Sequence, residues 1–172
     1  MILADNSVKA IAPKRNTKNI LRFLEELVAQ NRKLGQAKQV DRESMLANGM
    51  AKVSNLVSHD FLVIVISDFV FYAPEVVNYM ARLSRHNDVI AIKVFDPLEK
   101  TVPAEKIAVS DGTHQLIIPG QRPDIKQKID TGFEEDLASF DAQLKHHRIP
   151  FITVNTVDPV EDQLKDILGH KR

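Results

Sequence analysis

Apolar positions recur along the chain with helical spacing in some stretches and as short unbroken runs in others. Ile20, Phe23, Leu24, Leu27 and Val28 follow the i, i+3, i+4, i+7, i+8 pattern of one helical face, with Glu25 and Glu26 opposite. The pattern predicts a helix from a cap at Asn16 or Thr17 to about residue 33, ended by Gly35. A second helix, capped by Asp41, carries Met45, Leu46, Met50, Val53, Leu56 and Val57. Gly49 weakens that helix by roughly 1 kcal/mol relative to Ala. Pro74 suits the first turn of a third helix, which buries Val76, Val77, Met80 and Leu83. Pro123 opens the longest, to about residue 147, with Ile125, Ile129, Phe133, Leu137, Phe140 and Leu144 along one side. Asp158 and Glu161 around Pro159 resemble a capping box. Behind them Leu164, Ile167 and Leu168 dock a short terminal helix that stops at Gly169.

Between the helices lie unalternated, β-branched runs at residues 61–66, 89–95 and 149–154. Such runs read as strands buried on both faces, as in a parallel sheet covered by helices. Residues 1–4 and 8–12 flank the turn cluster Asp5-Asn6-Ser7 as a short hairpin stopped by Pro13. Residues 107–110 and 115–118 flank Asp111-Gly112, a strong hairpin signal. Strands alternating with helices predict a single α/β domain over residues 1–172. It is a three-layer α/β/α, Rossmann-like fold with a mainly parallel sheet. Binding sites in such sheets lie at the carboxyl ends of the strands. Here those ends carry Ser67-Asp68, Asp96 and Asn155-Thr156.

Composition narrows the function classes. Among 172 residues, 23 Lys and Arg balance 23 Asp and Glu, so the chain lacks the basic footprint of a general nucleic-acid binder. Lys14-Arg15 and Lys171-Arg172 read as solvated ends. The absence of Cys excludes disulfides, thiol catalysis and Cys-type zinc sites. No run approaches the roughly 18 apolar residues that span a bilayer. No basic stretch leads into a long apolar one in the manner of a signal peptide. A cytoplasmic protein without a membrane segment is the expectation.

Ser67-Asp68 is the sharpest chemical candidate. An Asp that follows a buried parallel strand can hold Mg²⁺, given further oxygen ligands. The plainer reading is that Asp68 caps the next turn. Asp96 stands at an equivalent strand end, but Asp96-Pro97 is also ordinary turn chemistry, and that reading is favoured. The histidines, His59, His86, His114, His146, His147 and His170, show no ligand spacing. His146 and His147 point about 100° apart on a helix and share no face. Glycine-rich phosphate loops and a nucleophile elbow are absent from the sequence.

A strand ending in Ser67-Asp68-Phe69, an Arg85-His86-Asn87-Asp88 turn and a strand ending in Asp96-Pro97-Leu98-Glu99 form a specific combination. With Ile11-Ala12-Pro13-Lys14-Arg15 before the first helix, it resembles the C-terminal part of the bacterial domain of unknown function 58 family. The resemblance implies a von Willebrand factor A-like fold associated with MoxR-type AAA+ ATPases in protein assembly. It also implies a candidate metal-ion-dependent adhesion site, in which Asp68, with Ser67 beside it, matches the later Asp of the motif. The motif's first element, Asp-x-Ser-x-Ser, does not occur here, so a metal site at Asp68 is expected to be vestigial and no cofactor is expected. The comparison further implies that the family's first strand and first helix are missing. That would leave one side of strand 61–66 without an intrachain neighbour. An uncovered apolar edge is a template for another chain. Either the N-terminal hairpin fills the gap or two chains pair, and a homodimer is the expectation.

Two functions from different classes follow. One is a non-enzymatic protein-interaction domain, partnering a MoxR-type ATPase or its client. The other is a small Mg²⁺-dependent hydrolase or phosphotransfer domain using Asp68 and Asp96. The missing catalytic motifs favour the first.

Overall fold

The computed structural model describes residues 2–4, 8–12, 14, 16–33, 42–70, 74–101, 106–110, 115–119 and 123–169. Several sequence expectations lie outside the described residues. They are the turn cluster Asp5-Asn6-Ser7, the stop at Pro13, Arg15, the ends at Gly35 and Asp41, the Asp111-Gly112 turn, His114, His170 and Lys171-Arg172.

The order is β1 (Ile2–Ala4), β2 (Val8–Ala10), α1 (Thr17–Asn31), α2 (Arg42–Leu56), β3 (Leu62–Ser67), α3 (Pro74–Leu83), β4 (Asp88–Phe95), α4 (Pro97–Lys100), β5 (Lys106–Ser110), β6 (Gln115–Pro119), α5 (Pro123–His146), β7 (Phe151–Asn155) and α6 (Val160–Gly169). Strands β3, β4 and β7 lie side by side in that order as a parallel sheet. This is the α/β, Rossmann-like arrangement read from the alternation of apolar runs and amphipathic stretches. Each hairpin, β1–β2 and β5–β6, makes its own antiparallel two-stranded sheet. The N-terminal hairpin therefore does not extend the parallel sheet. The chain divides into two compact units, Met1–Val63 with Phe69–Val89, and Ile64–Asp68 with Ile90–Arg172.

In the first unit, α2 lies against α3 and β1. Helix α3 buries Val76, Val77, Met80 and Leu83, the stripe its periodicity predicts. Asn87, in the turn after α3, ties three pieces of backbone together. Its Oδ1 accepts from Phe61 N–H at 3.0 Å, and its Nδ2 donates to Leu83 O at 3.0 Å and Ser58 O at 3.4 Å. One side chain thus joins the end of α3 to the entry of β3. Helix α1 begins on an Asn16 cap whose side chain accepts from Asn19 N–H at 2.8 Å. Asn19 Nδ2 in turn donates to Ala12 O at 3.1 Å. Lys9 Nζ donates to Glu26, joining the hairpin to the middle of the helix. These polar contacts hold a helix in which no residue is buried.

A Cβ added at Gly49, inside α2, would meet nothing within 4 Å. Gly49→Ala is therefore expected to stabilise the chain by about 0.5–1 kcal/mol, through helix propensity and a less flexible unfolded state. The urea midpoint should rise at unchanged slope. A fall would mean that the site has no room for the methyl group.

In the second unit, β4 and β7 pair in parallel from Ala91↔Phe151 to Phe95↔Asn155. Helix α5 closes on a Schellman motif. Ile149 N–H donates to Leu144 O at 3.1 Å and Arg148 N–H to Lys145 O at 2.9 Å, with Arg148 in the left-handed region at φ 57°. Leu144 and Ile149 are both fully buried, the apolar contact that accompanies this turn. The reversal aims the chain from α5 into β7. His147 lies just beyond the last residue of α5, and its ring meets that of His146 edge-on at 5.0 Å.

Strand β3 corrects a second expectation. Its burial alternates: Val63 and Val65 are buried, whereas Leu62, Ile64 and Ile66 are 60%, 49% and 64% exposed. The unbroken apolar run implies cover on both faces, but only one face is covered.

Candidate functional site

The carboxyl ends of the three parallel strands form a rim within the second unit. Ser67 closes β3, and its Oγ donates to Asp68 Oδ1 at 3.4 Å. The chain then turns through Phe69 in the left-handed region, φ 49°. A non-glycine residue there costs roughly 1–2 kcal/mol, so other contacts must hold the turn. One of them is Lys93, whose Nζ donates to Asp68 O.

Asp96, at the end of β4, is the N-cap of α4. Its Oδ1 accepts from Leu98 N–H at 2.8 Å, and Glu99 Oε1 accepts from Asp96 N–H at 3.0 Å, a reciprocal capping box. The turn reading of Asp96-Pro97 is what the structure contains. Thr156, just past β7, donates its Oγ1 to Asp96 Oδ2 at 3.4 Å and its N–H to Phe95 O at 3.1 Å. Asn155 Oδ1 accepts from the N–H groups of Val157 and Asp158 at 2.9 and 2.8 Å. Gln163 brackets Asn155, accepting from its N–H at 2.9 Å and donating to its carbonyl at 3.1 Å. Asp158 accepts from Asn155 Nδ2 at 2.8 Å within this loop, and Gln163 rather than Glu161 reaches back to it, its Nε2 donating to Asp158 O at 2.8 Å.

Ser67 and Asp68 are therefore adjacent at the rim as the sequence places them, and Asp96 is committed to its cap. Among the described residues, no group of three or more His, Cys, Asp or Glu could hold a metal ion. Mg²⁺ and Ca²⁺ take six or more oxygen ligands, and a capping carboxylate has little left to offer.

Lys93 is the residue that sequence reasoning passes over. Its side chain is only 12% exposed. Besides Asp68 O, its ammonium faces Glu99 Oε2 at 4.0 Å and the ring of Phe133 at 5.8 Å. Phe133 packs on Phe95 at 5.4 Å between centroids. The available signal is a single cation inside the otherwise apolar run 89–95. Elsewhere in the chain, the hydrogen bond from Lys9, helped by one from Gln30 at 2.6 Å, holds the Glu26 carboxyl below the usual carboxylate range.

Apolar side chains supply the other candidate surface. Ile20, Leu21, Leu24, Leu27 and Val28 on α1 are between 39% and 55% exposed. A contiguous exposed apolar patch is a feature that interaction surfaces share. Among the described residues, no helix is long and apolar enough to cross a membrane.

The sequence model of the protein of unknown function DUF58 matches residues 1–148. Among solved structures, the chain is similar to the conserved hypothetical protein BatB from Bacteroides thetaiotaomicron, at 11% identity and a TM-score of 0.52. That likeness covers 99% of this chain and 77% of BatB, and at such low identity it speaks for the fold alone. No curated protein matches the chain.

Proposed function

The chain belongs to the family of proteins of unknown function DUF58, and from that premise we propose that it is a non-enzymatic protein-interaction domain that works with a MoxR-type AAA+ ATPase or its client. The observation that carries this reading is the apolar face of α1, on which no residue is buried. A helix held at its cap and by Lys9, with its leucines outward, suits a partner that buries those leucines. The rim supports the same reading, since Asp96 serves a cap and Lys93 sits against Asp68. Self-association through β3 is part of the proposal. The ATPase link comes from the family resemblance in the Ser67-Asp68, Arg85-His86-Asn87-Asp88 and Asp96-Pro97-Leu98-Glu99 segments.

The test is calorimetric titration of the purified chain with a purified MoxR-type ATPase, in the nucleotide-bound and nucleotide-free states. Binding is expected, and Leu24→Asp should weaken it at least about tenfold, because burying a leucine contributes roughly 1.5–3 kcal/mol. Leu24 is 48% exposed, so the variant keeps its fold. Absence of binding in both states, or equal binding by Leu24→Asp, would remove the support. Metal-dependent hydrolysis of phosphate esters that is lost in Asp68→Asn would replace this reading with an enzymatic one.

A further inference from the structure

We propose that the Lys93 ammonium is the resident cation of the strand-end rim, locking the turn after β3 in place of a divalent metal. Four observations lead there. Lys93 is nearly buried, and a desolvated ammonium persists only where acceptors and charge surround it. It has three: the Asp68 carbonyl, the Glu99 carboxylate and the face of Phe133. The carbonyl it grips belongs to the peptide that joins Asp68 to Phe69, and the orientation of that peptide sets the left-handed φ of Phe69. Lastly, Glu99 uses both oxygens, one on the Asp96 N–H and one facing Lys93.

The result is a polar chain across all three strand ends. It runs from Asp68 through Lys93 and Glu99 to Asp96, and from Asp96 to Thr156. A tethered ammonium at its centre repels a second cation and occupies acceptors that an ion would need. The rim keeps its geometry at any Mg²⁺ concentration, and the lock requires no ligand. This goes beyond the interaction role above and does not depend on it, since it concerns the strand-end rim and the turn after β3 rather than the apolar face of α1.

Amide hydrogen exchange of the full chain tests it, with and without Mg²⁺. In Lys93→Met, exchange around residues 67–70 should accelerate about tenfold or more, the effect of losing a hydrogen bond to a charged group. Exchange in α6 should stay unchanged. Glu99→Gln should show a smaller acceleration in the same segment. An unchanged rate at residues 67–70 in a folded Lys93→Met would overturn the proposal. The unaltered chain gives a second reading that needs no variant. Titration with Mg²⁺, followed by the amide resonances of Ser67, Asp68 and Asp96, should leave them in place. Saturable shifts at those three amides would mean that a metal, not Lys93, is the cation of the rim.

Discussion

Leu144→Ala lowers the unfolding free energy by about 2–5 kcal/mol, the range for deleting a leucine side chain that cannot be replaced by solvent or repacking. Leu144 is fully buried on α5, and its carbonyl accepts from Ile149 at the turn into β7. Ile149 and Val154 are buried in the same unit, and the Phe140 and Phe151 rings meet edge-on at 5.2 Å. The backbone around Leu144 is held by the Schellman bonds, so the cavity collapses only in part. The cost should lie nearer the top of the range than for a residue on a free helix end. Leu168→Ala on α6 is the control: Leu168, expected from the apolar spacing to dock that helix with Leu164 and Ile167, is instead 67% exposed and should lose about 0.5 kcal/mol or less. Urea unfolding of both variants, followed by circular dichroism, gives the comparison. A loss below about 1 kcal/mol in Leu144→Ala would mean that the α5 stripe is not the core of this unit.

That stripe was legible in the sequence because a helix advertises its buried side every three or four residues. The Val76, Val77, Met80 and Leu83 face of α3 was legible for the same reason. Strand β3 was not. An unbroken apolar run looks identical whether one face is covered or two, and the alternation of Val63 and Val65 against Leu62, Ile64 and Ile66 emerges only with the fold. The rim was half legible. Asp-Pro after a strand announced the Asp96 cap, because the side chain and the fixed proline φ both act locally. The role of Lys93 depends on nearby Glu99 together with Asp68 and Phe133, which are distant in sequence and meet it only at the strand ends. Local pattern carries no information about such a meeting. Asn87 is similar: its backbone partners are Leu83 at the end of α3 and, far back in sequence, Ser58 and Phe61 before β3, and only the turn geometry selects Asn there.

The open side of β3 leads to the second large effect, which concerns self-association. Among the described residues, β3 has β4 on one side and no strand on the other. Leu62 to Ile66 contains no charge, proline or glycine, the devices that normally blunt an edge. Antiparallel pairing of two copies about Ile64 sets Ile64 against Ile64 and Leu62 against Ile66 on each side of the axis. The strand is therefore complementary to itself, as a two-fold interface requires. Each apolar cross-strand pair contributes roughly 0.2–1 kcal/mol, and like charges placed opposite one another are unfavourable by a comparable amount. Ile64→Lys replaces the central pair with two facing ammonium groups. The dissociation constant should rise by roughly thirtyfold, the equivalent of about 2 kcal/mol. Ile64 is half exposed, so the variant should keep the circular dichroism and urea midpoint of the parent within about 0.5 kcal/mol. Multi-angle light scattering over a dilution series, with and without Mg²⁺, separates the outcomes. A dimer in the parent and a monomer in Ile64→Lys, both independent of Mg²⁺, is the expected result. A parent that stays monomeric at every concentration, or a variant that dimerises as tightly as the parent, would show that β3 is not where two chains meet.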